Sequence, residues 1–346
     1  MIRVGLVGYG MAGRVFHAPV ISAVEGLELA AVVERHSRNA EAAYPGVTTY
    51  SSLEDMLKDE TIQLVVVATP NTSHAALALQ ALAAGRHVVV DKPVGISVKE
   101  VEGLVAASGP GHFMIPFHNR RWDSDFQTLR KLLHEEKLGE VVYLESTFLR
   151  WRPLARGTWR DDGTDGGGIL LDLGTHLADQ AIQLFGMPAE LSAEVLAERP
   201  GGRVNDSFNI RLYYPEKIVT LVANCFTALP RPRYTVRGTK GNYVKWGLDP
   251  QEDRLKEKGK VEGANWGVEP SSAWGTVAVD VEGSMITHPV QPIPGDYRLY
   301  YAGVRDAILG KSVAPVLAVD ALNVARLLET AEISSREKRT IAIAWD

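Results

Sequence analysis

The chain has 346 residues, of which 45% are hydrophobic and 23% are charged, an ordinary composition for a globular protein long enough to form two domains. Its 37 basic and 42 acidic residues give a formal net charge of -5, which argues against a broad surface for nucleic acid or an anionic membrane. Cys225 is the single cysteine, which excludes a disulfide within the chain. Because the sequence also lacks a signal-peptide pattern and any apolar run of about 18 residues, we expect a cytoplasmic protein.

Strand-like apolar segments alternate with helix-like segments over the first 120 residues. The strand-like segments are almost continuously hydrophobic, which is typical of a parallel sheet covered on both faces. They are residues 2–7, 27–33, 63–69, 87–90 and 113–117. Ser-x-x-Glu capping boxes at Ser51 and Ser97 indicate where two of the intervening helices begin. We therefore predict a doubly wound Rossmann domain, of the α/β class, over residues 1–120.

The pattern changes after residue 120, where a helix is followed by longer strands of alternating polarity. Such alternation is typical of an antiparallel sheet with one wetter face. The predicted strands are residues 140–151, 189–198, 206–214, 217–226 and 233–238, followed by a loop over 254–272, helices over 297–309 and 318–336, and a strand within 340–345. We expect an α+β domain over residues 121–346, built on a large, mainly antiparallel open sheet, for substrate binding and oligomerisation. Its C-terminal helix can pack back on the first domain.

The segment "GYGMAG" places Gly8, Gly10 and Gly13 in the spacing G-x-G-x-x-G, with Met11 and Ala12 between the last two. It follows a predicted strand and precedes a helix-like segment. In that setting the glycines allow a tight turn, close approach of the backbone to a pyrophosphate, and close packing of helix on strand. The amide groups at the start of the helix attract the phosphate charge. This segment predicts a dinucleotide site.

The choice between NAD and NADP depends on the end of the second predicted strand. Glu34 stands where an acid accepts hydrogen bonds from the adenosine ribose, which favours NAD. Arg35 and Arg38 lie beside it and are suited to the 2′-phosphate of NADP. The sequence leaves both cofactors open.

Ligands of open α/β sheets bind beyond the carboxyl ends of the strands. Lys92, between Asp91 and Pro93, follows a buried strand there, so we expect it beside the nicotinamide ring rather than as an ordinary surface lysine. His74 either packs against the cofactor or fills the first turn of its helix, which Asn71 or Thr72 would cap. The other residues expected to contact the cofactor at these strand ends are Thr69, Pro70, Asn71, Asn119 and Arg121.

Asp172 and His176 are four residues apart in "LLDLGTHLADQ", at the predicted start of a helix. This spacing places both side chains on one helical face, about 5–6 Å apart. The pair suits two metal ligands, a catalytic acid–base pair or a buried polar contact. A metal site would need a third inward-facing ligand. Because the other histidines are scattered and no cysteine cluster exists, we expect no metal.

Three motifs in order, "GYGMAG", "DKP" and "DLGTH", resemble the glucose–fructose oxidoreductase, inositol dehydrogenase and MocA-like (Gfo/Idh/MocA) family, whose members carry G-x-G-x-x-G, Glu-Lys-Pro and Asp-x-Gly-x-His. The segments "HNRRWDSDF", "TWRDD" and "DPQEDRL" are similar to the branch with NADP-dependent scyllo-inositol dehydrogenases. Two departures stand out. Asp91 replaces the usual glutamate, and Glu34 and Arg35 stand where NADP-using relatives often carry serine or threonine followed by arginine.

The resemblance implies an NAD(P)-dependent dehydrogenase that acts on a CH–OH group of an inositol-like polyol or a sugar. Lys92 would hydrogen-bond to the reacting hydroxyl, Asp172 would position the substrate, and His176 would be the general base, all at the domain cleft. The further residues expected to line this cleft are Arg121, Trp122, Trp159 and Arg160, with Tyr297 and Tyr300 as weaker candidates.

A different class of function is a catalytically silent NAD(P)-binding regulatory protein, which the same family includes. Retention of both Lys92 and His176 argues against it. A purely structural α/β protein would not explain three motifs at the ends of strands or helices. We expect a small-molecule partner, no nucleic acid and no membrane. We also expect a homodimer or homotetramer, because family members cover the second face of the open sheet in this way.

Overall fold

A computed structural model of the chain describes residues 1–155, 157, 163, 166–263, 265–343 and 345. The strands in this part of the chain are β1 (Ile2–Val7), β2 (Leu27–Val33), β3 (Thr48–Tyr50), β4 (Leu64–Val67), β5 (His87–Val90), β6 (Met114–Pro116), β7 (Val141–Leu149), β8 (Glu190–Leu196), β9 (Ser207–Tyr214), β10 (Lys217–Asn224), β11 (Tyr234–Gly238), β12 (Gly241–Lys245), β13 (Gly275–Val281), β14 (Ser284–Val290) and β15 (Ile341–Ala342).

The α-helices of the described residues are α1 (Ala18–Ser22), α2 (Asn39–Ala43), α3 (Leu53–Leu57), α4 (His74–Ala83), α5 (Val98–Ala107), α6 (Ser124–His134), α7 (Thr175–Phe185), α8 (Gln251–Lys258), α9 (Arg298–Ile308) and α10 (Ala318–Glu337). Wide, π-helical turns at Gly13–His17 and Leu170–Gly174 lead into α1 and α7. Short 3₁₀ turns lie at Asn71–Ser73, Asn119–Trp122 and Ser271–Ala273. None of the described helices is long and apolar enough to cross a membrane.

The chain divides into two compact units, each assembled from separate segments. The first unit comprises Met1–Trp122, Pro250–Trp266 and Asp296–Leu322, and the second comprises Asp123–Asp249, Gly267–Gly295 and Asn323–Asp346. The first contains a six-stranded parallel sheet with the order β3-β2-β1-β4-β5-β6. The second contains a nine-stranded sheet with the order β14-β13-β12-β11-β7-β10-β9-β8-β15, antiparallel except for the β7–β10 pair. The predicted fold class is confirmed.

The core of the first unit lies on both faces of its parallel sheet. The central strands β4 and β5 are runs of buried valine and leucine, as a sheet covered on both sides requires. β1 lies between β2 and β4. The chain therefore adds β2 and β3 on one side of β1 and then β4, β5 and β6 on the other side. The strand order therefore reverses at β1 and β4, which creates the crevice where ligands of this architecture bind.

One face of the nine-stranded sheet carries the helices of the second unit. Leu144 and Leu221 of the central strands pack in one apolar cluster with Leu177 of α7. α10 contributes Val324, Leu327, Leu328 and Ala331 to the same cluster. Successive side chains of a strand point to opposite faces of the sheet. The face opposite the helices therefore carries the half-buried side chains Tyr143, Tyr213, Ile218 and Val222.

Two sequence-based predictions of helix starts are wrong by a small shift. Ser52, not Ser51, caps α3 by accepting a hydrogen bond from the Asp55 amide. Neither Asn71 nor Thr72 caps α4, because both lie in the 3₁₀ turn that precedes it. The cap at Ser97 is confirmed, since its hydroxyl accepts from the Glu100 amide at 3.3 Å.

The predicted loop over residues 254–272 is wrong in its first part, where α8 runs to Lys258 and Gly259 ends it at φ +66°. Apart from Leu255, the helix exposes or half-buries charged side chains along most of its length, so it shows no apolar stripe. β12, β13 and β14 also lay outside the predicted strands. β14 is exposed along almost its whole length, and it therefore lacks the alternation that marks a half-buried strand.

Candidate active site

The glycine turn after β1 has the geometry of a dinucleotide cradle. Gly8 has φ +97°, and a Cβ atom there would lie 2.7 Å from the carbonyl oxygen of Ala68. A Cβ atom on Gly13 would lie 2.1 Å from the carbonyl oxygen of Gly8. A Cβ atom on Gly10 would meet nothing within 4 Å. Gly8 and Gly13 are therefore required by the packing of the turn itself, whereas Gly10 leaves the open space that a pyrophosphate needs.

The residues between these glycines leave that space accessible. Met11 is exposed and Ala12 is half-buried. The Arg14 amide donates to the Gly10 carbonyl at 2.9 Å, so the helical turn begins at once after the cradle. The turn thus fits the pyrophosphate of a nicotinamide dinucleotide.

Glu34 holds the loop between β2 and α2. Its two carboxylate oxygens accept from the Ser37 hydroxyl at 2.6 Å and from the Ala40 amide at 2.8 Å. Arg35 and Arg38 are exposed on the same loop. The acid is therefore already hydrogen-bonded within the protein, and so is Arg38, whose guanidinium donates to Glu41 at 3.1 Å. Burial and the charge of Glu34 together raise the pKa of the neighbouring Tyr9.

His74 joins two of the predicted cofactor-binding segments. Its ring is buried, with Nδ1 2.7 Å from the Pro93 carbonyl oxygen and Nε2 2.8 Å from the Thr69 carbonyl oxygen. Pro70 and the buried Asn71 follow Thr69 in the same segment. A carbonyl only accepts hydrogen bonds, so the neutral ring donates to one of them and the protonated ring to both. The ring ties the end of β4 to the segment that carries Lys92.

Asp91, Lys92 and Pro93 follow β5 at the carboxyl edge of the parallel sheet. Asp91 accepts the backbone amide of Lys92 at 2.7 Å through Oδ1, and the Lys92–Pro93 peptide is cis. Burial alone would raise the pKa of Asp91, but the nearby His17 ring and the charge of Lys92 outweigh it and leave the pKa below its usual value. Asp91 is therefore a carboxylate at neutral pH.

Asn119, Arg121 and Trp122 lie in the 3₁₀ turn that follows β6. Asn119 and Arg121 are buried, and the Arg121 guanidinium donates to Asp320 at 3.0 Å. The Trp122 ring packs edge-on against Tyr300, with 5.5 Å between ring centroids. Tyr300 is fully buried and donates to the Pro116 carbonyl at 3.0 Å. Tyr300 and the equally buried Tyr297 are thus core residues of the first unit, which corrects their expected position at a cleft.

In the second unit, "DLGTH" spans a wide turn and the first residues of a helix. Asp172 lies in the π-helical turn, and the buried His176 is the second residue of α7. The pair thus lies across a π-helical turn, which bonds residue i to i+5, and the first residues of α7, rather than within one regular α-helix as predicted. Such wide turns are frequent at functional sites.

Arg150, which the sequence did not single out, contacts the predicted site residue Asp172. It follows β7, and its guanidinium lies 3.6 Å from the Asp172 carboxylate. It also lies over the Phe148 ring, with 4.8 Å from Cζ to the ring centroid. Its place in the chain could have pointed to it, because it follows the carboxyl end of β7. In the sheet, that end lies beside the carboxyl end of the parallel strand β10.

Packing fixes the turn that carries Asp172. Gly168 has φ +91°, and a Cβ atom there would lie 2.6 Å from Asn205. Asn205 accepts the Leu170 amide at 2.8 Å through its side chain. One turn beyond His176, the side-chain oxygen of Gln180 accepts from Arg233 at 2.8 Å within a buried network. The turn and the helix are therefore held at both ends.

Two expected substrate residues, Trp159 and Arg160, lie outside the described residues. In the described part of the chain, no group of three or more histidine, cysteine, aspartate or glutamate side chains is arranged to hold a metal ion. Asp172 and His176 thus have no third candidate ligand there.

Comparison with known proteins gives matches over both units. Residues 2–109 match a family described as an oxidoreductase family with an NAD-binding Rossmann fold, and residues 130–343 match its C-terminal alpha/beta domain. The uncharacterized oxidoreductase YdgJ of Escherichia coli strain K12 is 43% identical over 345 residues, 99% of each chain.

Two further relatives have a solved structure or a specific name. The scyllo-inositol 2-dehydrogenase (NADP(+)) IolW of Bacillus subtilis strain 168 is 33% identical over 343 residues, covering 99% of this chain and 96% of the relative. The solved structure of YPO2259 from Yersinia pestis superposes with a TM-score of 0.94 at 43% identity, covering 100% of this chain and 98% of that one.

Proposed function

The chain belongs to the Gfo/Idh/MocA family of oxidoreductases, and we propose that it is an NAD(P)-dependent dehydrogenase that interconverts a secondary alcohol and a ketone. The substrate we propose is an inositol-like polyol or a sugar. The observation that carries this function is Lys92, which follows β5 at the carboxyl edge of the parallel sheet and whose backbone amide donates to Asp91 at 2.7 Å. A relative of 33% identity over nearly the whole chain is named for the oxidation of scyllo-inositol, which supports the substrate class.

Oxidation of a secondary alcohol needs a base for the hydroxyl proton and an acceptor for the hydride. A bound nicotinamide dinucleotide supplies the hydride acceptor. Lys92 donates a hydrogen bond to the substrate oxygen and stabilises the negative charge that develops there. His176 takes the hydroxyl proton, which suits a side chain whose ordinary pKa is about 6.5. Asp172, paired with Arg150, orients the hydroxyl group.

We further propose that NADP is the preferred cofactor. Glu34 would disfavour a 2′-phosphate if its carboxylate pointed at the ribose, but both oxygens already accept hydrogen bonds from Ser37 and Ala40. Arg35 is exposed and suited to the phosphate, and the exposed Arg38 beside it, whose guanidinium donates to Glu41 at 3.1 Å, adds a second positive charge. The relative IolW, which is named as an NADP(+) enzyme, supports the same choice.

We propose that the chain forms a homodimer or a homotetramer through the outer face of the nine-stranded sheet. That face carries the half-buried apolar side chains Tyr143, Tyr213, Ile218 and Val222 across its central strands. Light scattering during size-exclusion chromatography tests this directly. A mass of one chain at micromolar concentration would contradict it.

The experiment for the function is a set of initial rates with NAD and NADP against inositols, glucose, xylose and related sugars. We expect reduction of the cofactor by at least one polyol, faster with NADP. A catalytically silent regulatory protein would bind the reduced and oxidised cofactors and turn over none of these compounds.

A further inference from the structure

A buried histidine lies behind Lys92, in the element that begins at the glycine turn. His17 is the last residue of the wide turn Gly13–His17, and its relative exposure is 0%. The ring packs against Phe117, with 4.2 Å between centroids. No role has been assigned to His17 by the chemistry described above, and a fully buried imidazole needs partners for both nitrogens.

Each ring nitrogen of His17 faces a different partner. Nδ1 lies 2.7 Å from the hydroxyl oxygen of Tyr301 on α9. Nε2 lies 3.6 Å from Oδ2 of Asp91 and has no hydrogen-bond partner within reach among the described residues. The imidazole therefore stands between a phenol and the carboxylate that precedes Lys92.

The chemistry of these partners determines which nitrogen carries the proton. Burial raises the pKa of Tyr301 well above its ordinary value, so its hydroxyl keeps its proton and can either donate to Nδ1 or accept from it. Asp91 as a carboxylate only accepts hydrogen bonds. An unprotonated Nε2 would turn its lone pair toward the carboxylate, so the favourable arrangement has the proton on Nε2 facing Oδ2 of Asp91 and the Tyr301 hydroxyl donating to Nδ1.

The other oxygen of Asp91 continues the chain of contacts to Lys92. Oδ1 accepts the Lys92 backbone amide at 2.7 Å, while His74 holds the Pro93 carbonyl on the far side of the lysine. The glutamate that is usual at this motif position is one methylene longer. The shorter Asp91 leaves a gap to Nε2 somewhat longer than a hydrogen bond.

We propose that His17 and Tyr301 are positioning residues for Lys92, which they fix through Asp91. The Tyr301 hydroxyl donates to His17 Nδ1, His17 Nε2–H faces Asp91 across 3.6 Å, and the Lys92 amide donates to Asp91. The relay joins the turn that cradles the pyrophosphate to the residue that binds the reacting hydroxyl, both within the first unit. The part assigned to Lys92 rests on the proposed function, whereas the proton positions do not.

The first test measures the protonation of His17 in the full chain by ¹⁵N NMR of the histidine rings, assigned by comparison with a His17→Gln variant. We expect the neutral Nε2–H tautomer in the wild type. In Asp91→Asn the amide oxygen keeps the Lys92 amide, so its NH₂ group faces Nε2. We therefore expect the tautomer to switch to Nδ1–H. A protonated ring, an Nδ1–H tautomer in the wild type, or no switch in Asp91→Asn would overturn the relay.

The second test separates positioning from simple packing by kinetics. The His17→Gln side chain retains a donor near Nε2 and should keep kcat within about threefold of the wild type. His17→Phe fills the same space without a donor and should lose about 10-fold to 100-fold in kcat, the range found for partners that orient metal-ligating side chains.

Cofactor affinity and thermal unfolding are measured on every variant. Equal losses of kcat in His17→Gln and His17→Phe, or losses that only follow the melting temperature, would overturn the positioning role. If the wild type turns over no polyol with either cofactor, the proposed function fails, and the tautomer measurement still decides the relay.

Discussion

His176 is the residue on which proton transfer depends. Replacement by alanine should lower turnover by about 10²-fold to 10⁴-fold, the usual contribution of a general base, because the variant lacks the imidazole that takes the hydroxyl proton. Cofactor affinity should stay nearly unchanged. The measurement is kcat with the best polyol together with a cofactor titration. His134→Ala, an exposed histidine on α6, is the control, and equal turnover in the two variants would exclude His176 as the base.

In this proposal, the positive charges of Arg35 and Arg38 give the protein its preference for NADP over NAD. The double replacement by alanine should raise KM for NADP by about 10-fold to 100-fold, because hydrogen bonds between charged groups contribute about 1.5–3 kcal/mol each at most. KM for NAD should change little. Lys99→Ala, an exposed cation on α5, serves as the control. An equal effect on both cofactors would rule out the 2′-phosphate as the partner of these arginines.

The residues that the sequence identified are those with strong motifs. Gly8, Gly10 and Gly13 stand in a spacing with a mechanical reason, and the structure places them in the predicted turn. His17 and Arg150 carry no such motif. Their positions depend on contacts with Tyr301 and Asp172, which no pattern of neighbouring residues encodes.

The glycine turn needs Gly13 for its packing and Gly10 for cofactor binding, and the two requirements can be tested separately. Gly13→Ala would place its Cβ atom 2.1 Å from a backbone oxygen, and we expect a loss of about 1–3 kcal/mol in the free energy of unfolding. Gly10→Ala meets open space, so stability should stay unchanged while cofactor affinity falls, because the methyl group occupies the pyrophosphate position. Denaturant unfolding and a cofactor titration measure both. Tight cofactor binding by Gly10→Ala would contradict the cradle.

Helix α8 is held by a buried ion pair whose effect depends on pH. Burial alone would raise the pKa of Glu252, but the charge of Arg120 and the hydrogen bond from Lys256 outweigh it and lower the pKa to about 2. A carboxyl whose pKa is lower in the folded state stabilises the fold above its unfolded value of about 4.3. That stabilisation disappears as the pH falls toward 2.

Glu252→Gln should therefore lower the free energy of unfolding by about 3 kcal/mol at pH 7, and the difference from the wild type should shrink steadily below pH 4.5. Chemical unfolding at several pH values between 3.5 and 7 measures this. Glu257→Gln, an exposed position on the same helix, should show no comparable effect. If the difference in unfolding free energy between Glu252→Gln and the wild type did not change with pH, the Glu252 side chain would stabilise the fold by packing rather than by its charge.

Elements with a local signal were predictable, and elements without one were not. β1, β2 and β5 match their predicted bounds because continuous apolar runs mark a doubly covered strand. α8 buries little apolar surface apart from Leu255, and β14 is almost wholly exposed, so neither shows the periodicity on which prediction depends.

At the scale of the whole molecule, the sequence predicted two sheets of the right kind but not how the chain is shared between the two units. Residues 250–266 and 296–322 belong to the first unit, although they follow most of the second. The buried Tyr300 and Tyr301 of α9 pack against Phe117 of the first unit. Such long-range packing leaves no trace in local composition, because an apolar helix face does not specify which sheet it covers.

The most direct test of the proposed dehydrogenase is the initial rate of NADP reduction by scyllo-inositol and a set of related polyols, measured on the wild type and on Lys92→Ala. We expect saturable reduction by at least one polyol in the wild type. In Lys92→Ala we expect turnover to fall by about 10²-fold or more while the cofactor still binds. Tight cofactor binding by the wild type without turnover of any polyol, or full activity in Lys92→Ala, would contradict the proposed reaction.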